Sequence, residues 1–210
     1  MDDAEFKRQI NAISQGISQS EGSYAAWREI KPIDERRKRL NRWRGFFIPV
    51  QESLRQTTLL GIARAYDGDG RTMSVRNLIK AAVADPALTP HANAKQIQEV
   101  EARLDKIEPE LKKLARMRNQ ELAHQDAAPN RKEVLTTEEF DHVLSELKGI
   151  LNDLSRAHDQ SIFDWRMIVE DAERDTKLLV DELTIGAKEP SRKILSDSQQ
   201  TLRDIQGESE

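Results

Sequence analysis

Apolar residues recur at helical steps along almost the whole chain. Phe6, Ile10, Ile13 and Ile17 step by four and three and predict a helix over 4–16. The small polar run 18–23 reads as a loop, and 24–30 as a further helical piece that ends before Pro32. Leu40, Phe47, Val50 and Leu54 carry the next stripe, continued by Leu59, Leu60 and Ile62, with Pro49 expected to kink or restart the helix. Ser74 is a suitable N-cap for a short helix over 75–83, and a longer pattern begins near Asn93. Ile97, Val100, Leu104 and Ile107 repeat at three and four. Leu111, Leu114, Met117 and Leu122 continue the stripe beyond Pro109, which either kinks the helix or sits at a second start.

The clearest helix start is Thr136 with Glu139 three residues on, a capping box flanked by Leu135 and Phe140 in staple positions. Phe140, Val143, Leu144, Leu147, Ile150, Leu151 and Leu154 then form an uninterrupted core stripe. The pattern breaks around 159–161. Another helix is expected over 163–183, a linker at Gly186 and Pro190, and a last amphipathic helix over 191–205. Alternation of strand type is missing throughout, so the chain reads as all-α. The expected organisation is an N-terminal helix and loop (1–26), a helical bundle (27–160), a C-terminal helical extension (161–206) and a disordered tail (207–210). The weaker stripes of the extension suit packing on a partner chain.

Composition sharpens this picture at a few points. Hydrophobic residues are 37% and charged residues 33% of the 210, which suits helices with a single apolar stripe better than a thick multilayer core. Cysteine is absent, which rules out disulfides and thiolate metal sites. No apolar run reaches the ~18–20 residues of a membrane span, and the acidic start lacks the features of a signal peptide. A soluble, cytoplasmic protein with no membrane contact is expected. The net charge of −4 argues against bulk nucleic-acid binding but leaves room for a local basic face. Such a face is offered by Arg36, Arg37, Arg39, Arg42 and Arg44, with Trp43 interleaved. Trp43 lies on the apolar step beside Leu40 and Phe47 and is expected in the core; Arg55 and Arg64 are weaker RNA-binding candidates, each with an acid nearby at Glu52 and Asp67. Asp67-Gly-Asp69-Gly is a turn: Arg71 and Leu78 occupy positions where a calcium loop needs oxygen ligands.

Chemistry concentrates at 114–126. No phosphate-binding glycine loop, dinucleotide motif or nucleophile elbow is present, and none of the four His has a second His or Cys at ligand spacing, so neither metal nor cofactor is expected. His91, His142 and His158 are given no role. Arg118, Asn119 and His124 remain. Together they supply the parts that RNA cleavage needs without a metal. A His acts as base or acid near neutral pH, an Arg fork matches phosphate oxygens, and an Asn orients or donates. On an ideal straight helix Arg118 and His124 lie about 9 Å and about 120° apart. They converge only if the helix ends before His124 or if two chains share a cleft. The plainer alternative makes His124 a C-terminal helix cation and pairs Arg118 with Glu121 or Glu110.

Arg118-Asn119 followed by His124 resembles the R-x(4–6)-H motif of the HEPN superfamily (higher eukaryotes and prokaryotes nucleotide-binding domain). Ala123-His124-Gln125-Asp126 is similar to the form seen in its abortive-infection U-type branch, and 55–67 resembles that branch's second long helix. The resemblance implies a bundle of four to five core helices that forms a homodimer with two motifs across a shared cleft. It implies a metal-independent endoribonuclease, acting on RNA such as tRNA in toxin or phage-defence work beside an antitoxin or defence-system partner. His124 would be the acid or base, Arg118 the phosphate stabiliser and Asn119 the orienting residue, with Asp126 and Glu121 in support. Some members carry a Tyr two residues after the His that a partner enzyme modifies. Here that position is Asp126, so the resemblance does not extend to that mode of silencing. The rival expectation is a non-catalytic helical module that binds a nucleotide, an RNA or a protein through the same cleft.

Overall fold

Most of the apolar stripes become buried helix faces in the computed structural model, which describes residues 1–30, 40–66, 72–119 and 135–186. Among these residues there are seven α-helices and no strand: α1 (Asp3–Ile30), α2 (Arg44–Tyr66), α3 (Val75–Ala84), α4 (Ala94–Lys106), α5 (Glu108–Arg118), α6 (Thr137–Asp159) and α7 (Arg166–Gly186). α1 lies along α2 and also meets α3, α6 and α7. α5 packs between α2 and α6, and α4 between α3 and α6. Phe6, Ile10, Leu78, Leu114, Leu147 and Ile150 are enclosed at the centre of one continuous core. This is the all-α bundle that the resemblance implies.

The starts and stops follow from capping chemistry. Ser74 accepts from the Asn77 amide, and Asn93 and Thr136 each complete a capping box, with Gln96 and Glu139 respectively. Pro109 is a second start: α4 stops at Lys106, Ile107 turns the chain, and the proline falls in the first turn of α5, where no amide donor is needed. α6 ends at Gln160, which takes the left-handed conformation (φ 63°) that closes a helix C-terminus.

Three expectations need correction. The loop placed at 18–23 is helical, because α1 runs unbroken for 28 residues. Its small residues serve packing instead: the hydroxyls of Ser18 and Ser20 donate back to the carbonyls of Ser14 and Gly16, and this narrow face receives Gly61 of α2. Of the two outcomes expected at Pro49, a restart does not occur, since α2 continues through it. The bond it forfeits belongs to Gly45, and both residues are exposed, so water can serve the carbonyl. Trp43 is 37% exposed although Leu40 and Phe47 are buried. A 3-10 turn at Asn41–Trp43 advances the chain by about 120° per residue rather than about 100°, which carries Trp43 off the stripe. α7 packs on its own chain in part: Ile168 approaches Gly22 of α1, and Val180 joins Ile30, Leu40 and Phe47 in a second small core, while Met167, Leu178 and Leu179 stay exposed. Gly186, expected to open a linker, is the last residue of α7; Pro190 and the expected last helix lie outside the described residues.

Candidate functional site

α5 carries Arg118 in its last turn, and the helix is fastened at its start and midway. At its start Glu108 accepts a hydrogen bond from the Tyr66 hydroxyl (2.7 Å) and pairs with Arg76 (3.3 Å), which also reaches Asp105 (3.1 Å). The tyrosine bond is the main reason that the Glu108 carboxyl is held below the ordinary range. Burial, then the same bond, pushes the Tyr66 phenol up to about 12. Further along, Lys113 pairs with Glu139 at 2.9 Å. Glu139 is held below the ordinary range chiefly by the Thr136 amide and then by that lysine. Leu111 and Leu114 bury the inner face of the helix.

Arg118 therefore emerges from a fixed rod at the last turn of α5. Its Nε and Nη2 both donate to the side-chain oxygen of Asn119, at 3.0 and 2.9 Å. This bidentate fork holds the two side chains as one unit. It also sets the Asn119 amide so that its NH₂ faces away from the guanidinium, and three of the five arginine N–H groups are not used by Asn119. The expected alternative pairing with Glu110 is not made among the described residues. Glu121, His124 and Asp126 lie outside them.

The chain returns at Leu135, whose amide donates to the Met117 sulfur (3.4 Å). Residues 117 and 135 are thus brought together. Beside them opens a cavity of about 210 Å³, lined among others by Tyr24, Trp27, Arg55, Thr58, Met117 and Phe140. Tyr24 stacks on Trp27 (centroids 6.0 Å, 22°) and tilts against Phe140 (4.5 Å). Sequence reasoning missed this aromatic wall; its signal was the i, i+3 spacing of Tyr24 and Trp27, which places them on one helix face.

The candidate RNA-binding arginines do not gather at this point. Arg55 reaches the cavity and forks Glu52 (2.9 Å), which lowers the glutamate's pKa. Arg44 shares the Arg55 face of α2 but lies about 17 Å along the helix, and Arg64 lies about 14 Å the other way on the opposite face. Arg64 lines a separate groove between α1 and α2 with Arg8 and Gln15. Arg42 and Arg44 are exposed, and Arg36, Arg37 and Arg39 lie outside the described residues. The histidines given no role divide. His91 and His142 are exposed, while His158 is buried, with Nδ1 donating to the Leu88 carbonyl at 2.8 Å and its ring against Phe6.

No group of His, Asp and Glu suited to a metal occurs among the described residues. Nor is any described helix long and apolar enough to cross a membrane. No curated protein and no solved structure matches the chain. A family model does: the one described as AbiU2, of HEPN type, matches residues 3–179. That match begins with α1 and reaches into α7, taking in the whole bundle and the Arg118–Asn119 pair at its heart. The chain belongs to the abortive-infection U-type (AbiU2) branch of the HEPN superfamily.

Proposed function

We propose that the protein is a metal-independent endoribonuclease of HEPN type, a toxin or phage-defence effector that works as a homodimer on RNA. The observation that carries this reading is the fork between Arg118 and Asn119 at the end of α5. It presents a permanent cation and an amide donor as one preorganised unit, with His124 following within one short stretch of chain. Donors fixed before the reaction need no reorganisation as charge develops, which is the main source of such catalysis.

In this mechanism a nucleotide's 2′-hydroxyl attacks the adjacent phosphorus. His124 takes the hydroxyl proton or supplies one to the leaving 5′-oxygen. Arg118 stabilises the negative charge on the phosphorane oxygens, and Asn119 donates to the phosphate or orients the imidazole. The products are a 2′,3′-cyclic phosphate and a 5′-hydroxyl. A cleft shared by two copies brings together groups that a straight helix would hold about 9 Å apart. Asp126 and Glu121 support the imidazole in its charged form, and an antitoxin or defence-system partner holds the enzyme in check.

The test is a gel assay of purified wild type and His124→Ala on total RNA in EDTA. Defined fragments ending in cyclic phosphate from the wild type alone are expected. Equal cleavage by both proteins removes His124 from the mechanism. Cleavage by neither favours a non-catalytic module that binds through the same site.

A further inference from the structure

The cavity beside the motif has no part in the chemistry just described, yet its walls are chemically specific. Trp27, Tyr24 and Phe140 supply aromatic surface, Met117 a polarisable thioether, and Arg55 a charge. Its volume of about 210 Å³ falls below the ~300–1,000 Å³ typical of pockets for drug-sized ligands and suits one planar ring system. Polar groups are few and differ in kind. The Thr58 hydroxyl already donates to the Leu54 carbonyl, which leaves its oxygen as an acceptor. The Thr136 oxygen accepts from the Glu139 amide, which leaves its O–H as a donor. An aromatic and thioether wall with one acceptor, one donor and a cation is chemistry that takes an unstacked nucleobase.

Position points the same way. Met117 precedes Arg118 by one residue, so the cavity wall and the phosphate-binding fork are consecutive side chains of one helix end. We propose that this cavity seats a nucleobase of the RNA next to the cleaved phosphate, and so sets the base preference of cleavage. The proposal rests on the ribonuclease reading above for its substrate but not for its site. A base stacked there fixes its own nucleotide, and the neighbouring phosphate falls to Arg118. Arg55 lines the same cavity with its guanidinium paired to Glu52.

The chain contains four methionines, Met1, Met73, Met117 and Met167, and of these Met117 alone lines the cavity. The full-length protein, labelled with ¹³C at the methionine methyls, is titrated with each of the four nucleoside 5′-monophosphates and followed by NMR. The Met117 signal is identified by its loss in Met117→Leu. An upfield ring-current displacement of Met117 is expected, larger for one base than for the others, while Met1, Met73 and Met167 stay in place. Thr137, exposed at the edge of the cavity, is replaced in Thr137→Trp to fill it. Binding should then weaken about tenfold, the scale of one lost stacking contact, and RNA cleavage should lose its base preference. An unmoved Met117, or four methyls that shift alike, overturns the base site. A wild type that cuts RNA while Met117 stays put sinks the base site alone. A Met117 shift in a chain that cuts no RNA keeps the base site and sinks the ribonuclease reading alone.

Discussion

Gly61 of α2 lies so close to Ser20 of α1 that a methyl group on it would overlap the serine hydroxyl and stand 2.7 Å from the Gly16 carbonyl. A hydroxyl can rotate away, but a helix backbone cannot. Gly61→Ala is therefore expected to push α1 and α2 apart and to cost ~1–3 kcal/mol, as overpacking does. Gly149→Ala is the control. There the methyl would meet only the far end of the Arg103 side chain, which spans Glu146 and Asp153 across that glycine. The guanidinium can swing aside, and the gain in helix propensity of ~1 kcal/mol offsets the disturbance. Denaturant melts of the two variants should move in opposite directions, or Gly149→Ala should stay near wild type. Equal losses would mean that the close approach of α1 and α2 does not decide the outcome.

Arg118→Lys keeps the charge but loses the fork, since an ammonium cannot make two parallel bonds to one amide oxygen. Loss of a preorganised donor at a phosphorane typically costs about 10²–10³ in kcat. Arg118→Lys and Asn119→Ala should each fall toward that range with little change in melting temperature, because both residues stand at the end of α5 outside the core. A single-turnover assay on a defined RNA measures the effect. Full activity in Arg118→Lys would reduce the arginine to a generic cation.

Acid should loosen the start of α5. Glu108 is held below its ordinary value of 4.5, first by the Tyr66 hydroxyl. A carboxyl with a lowered folded-state pKa contributes stability that is present above its unfolded pKa and is lost as pH falls through the folded one. Tyr66→Phe removes the main cause of that shift and should cost ~0.5–1.5 kcal/mol at neutral pH. The gap between wild type and Tyr66→Phe should narrow as pH drops below the ordinary carboxylate range. Thermal melts of both proteins across that range report it; a constant gap would mean that the tyrosine acts through packing alone.

Thr136→Ala removes the cap of α6, whose hydroxyl accepts the Glu139 amide at 3.2 Å. A loss of ~1 kcal/mol is expected. Glu139→Gln should weaken two attachments at once, the reciprocal bond to the Thr136 amide and the pair with Lys113. In thermal melts its loss should exceed that of Thr136→Ala, since only Glu139 also fastens α5; equal losses would mean that the Lys113 pair adds nothing.

Where a local signal carried the information, the sequence sufficed. Thr136 with Glu139, Asn93, Ser74 and Pro109 each mark a boundary by their own chemistry, and the structure places helix ends there. Arg118 and Asn119 stand out in the sequence through their resemblance to a family motif, and the structure sets them together at the end of α5. What failed depended on distant contacts. The serines at 18–23 look like a loop until α2 is known to press against them, and Trp43 leaves the stripe because of one tight turn. The cavity draws its walls from α1, α2, α5 and α6, so no stretch of sequence announces it. The fork itself could not be read either, because spacing does not tell whether Arg118 turns to Glu110 or to its neighbour.

The fastening of Glu108 by Tyr66 and Arg76 has a mechanical consequence. From Glu108 to Arg118 the helix is a lever of about 15 Å. A tilt of only about 4° at the pivot sweeps the guanidinium through about 1 Å, a misplacement that can cost about 10²-fold in rate. Lesions at Tyr66 or Arg76 should thus silence the protein at a distance while leaving it folded, and a partner that pressed on that pivot would control the far end without ever touching it.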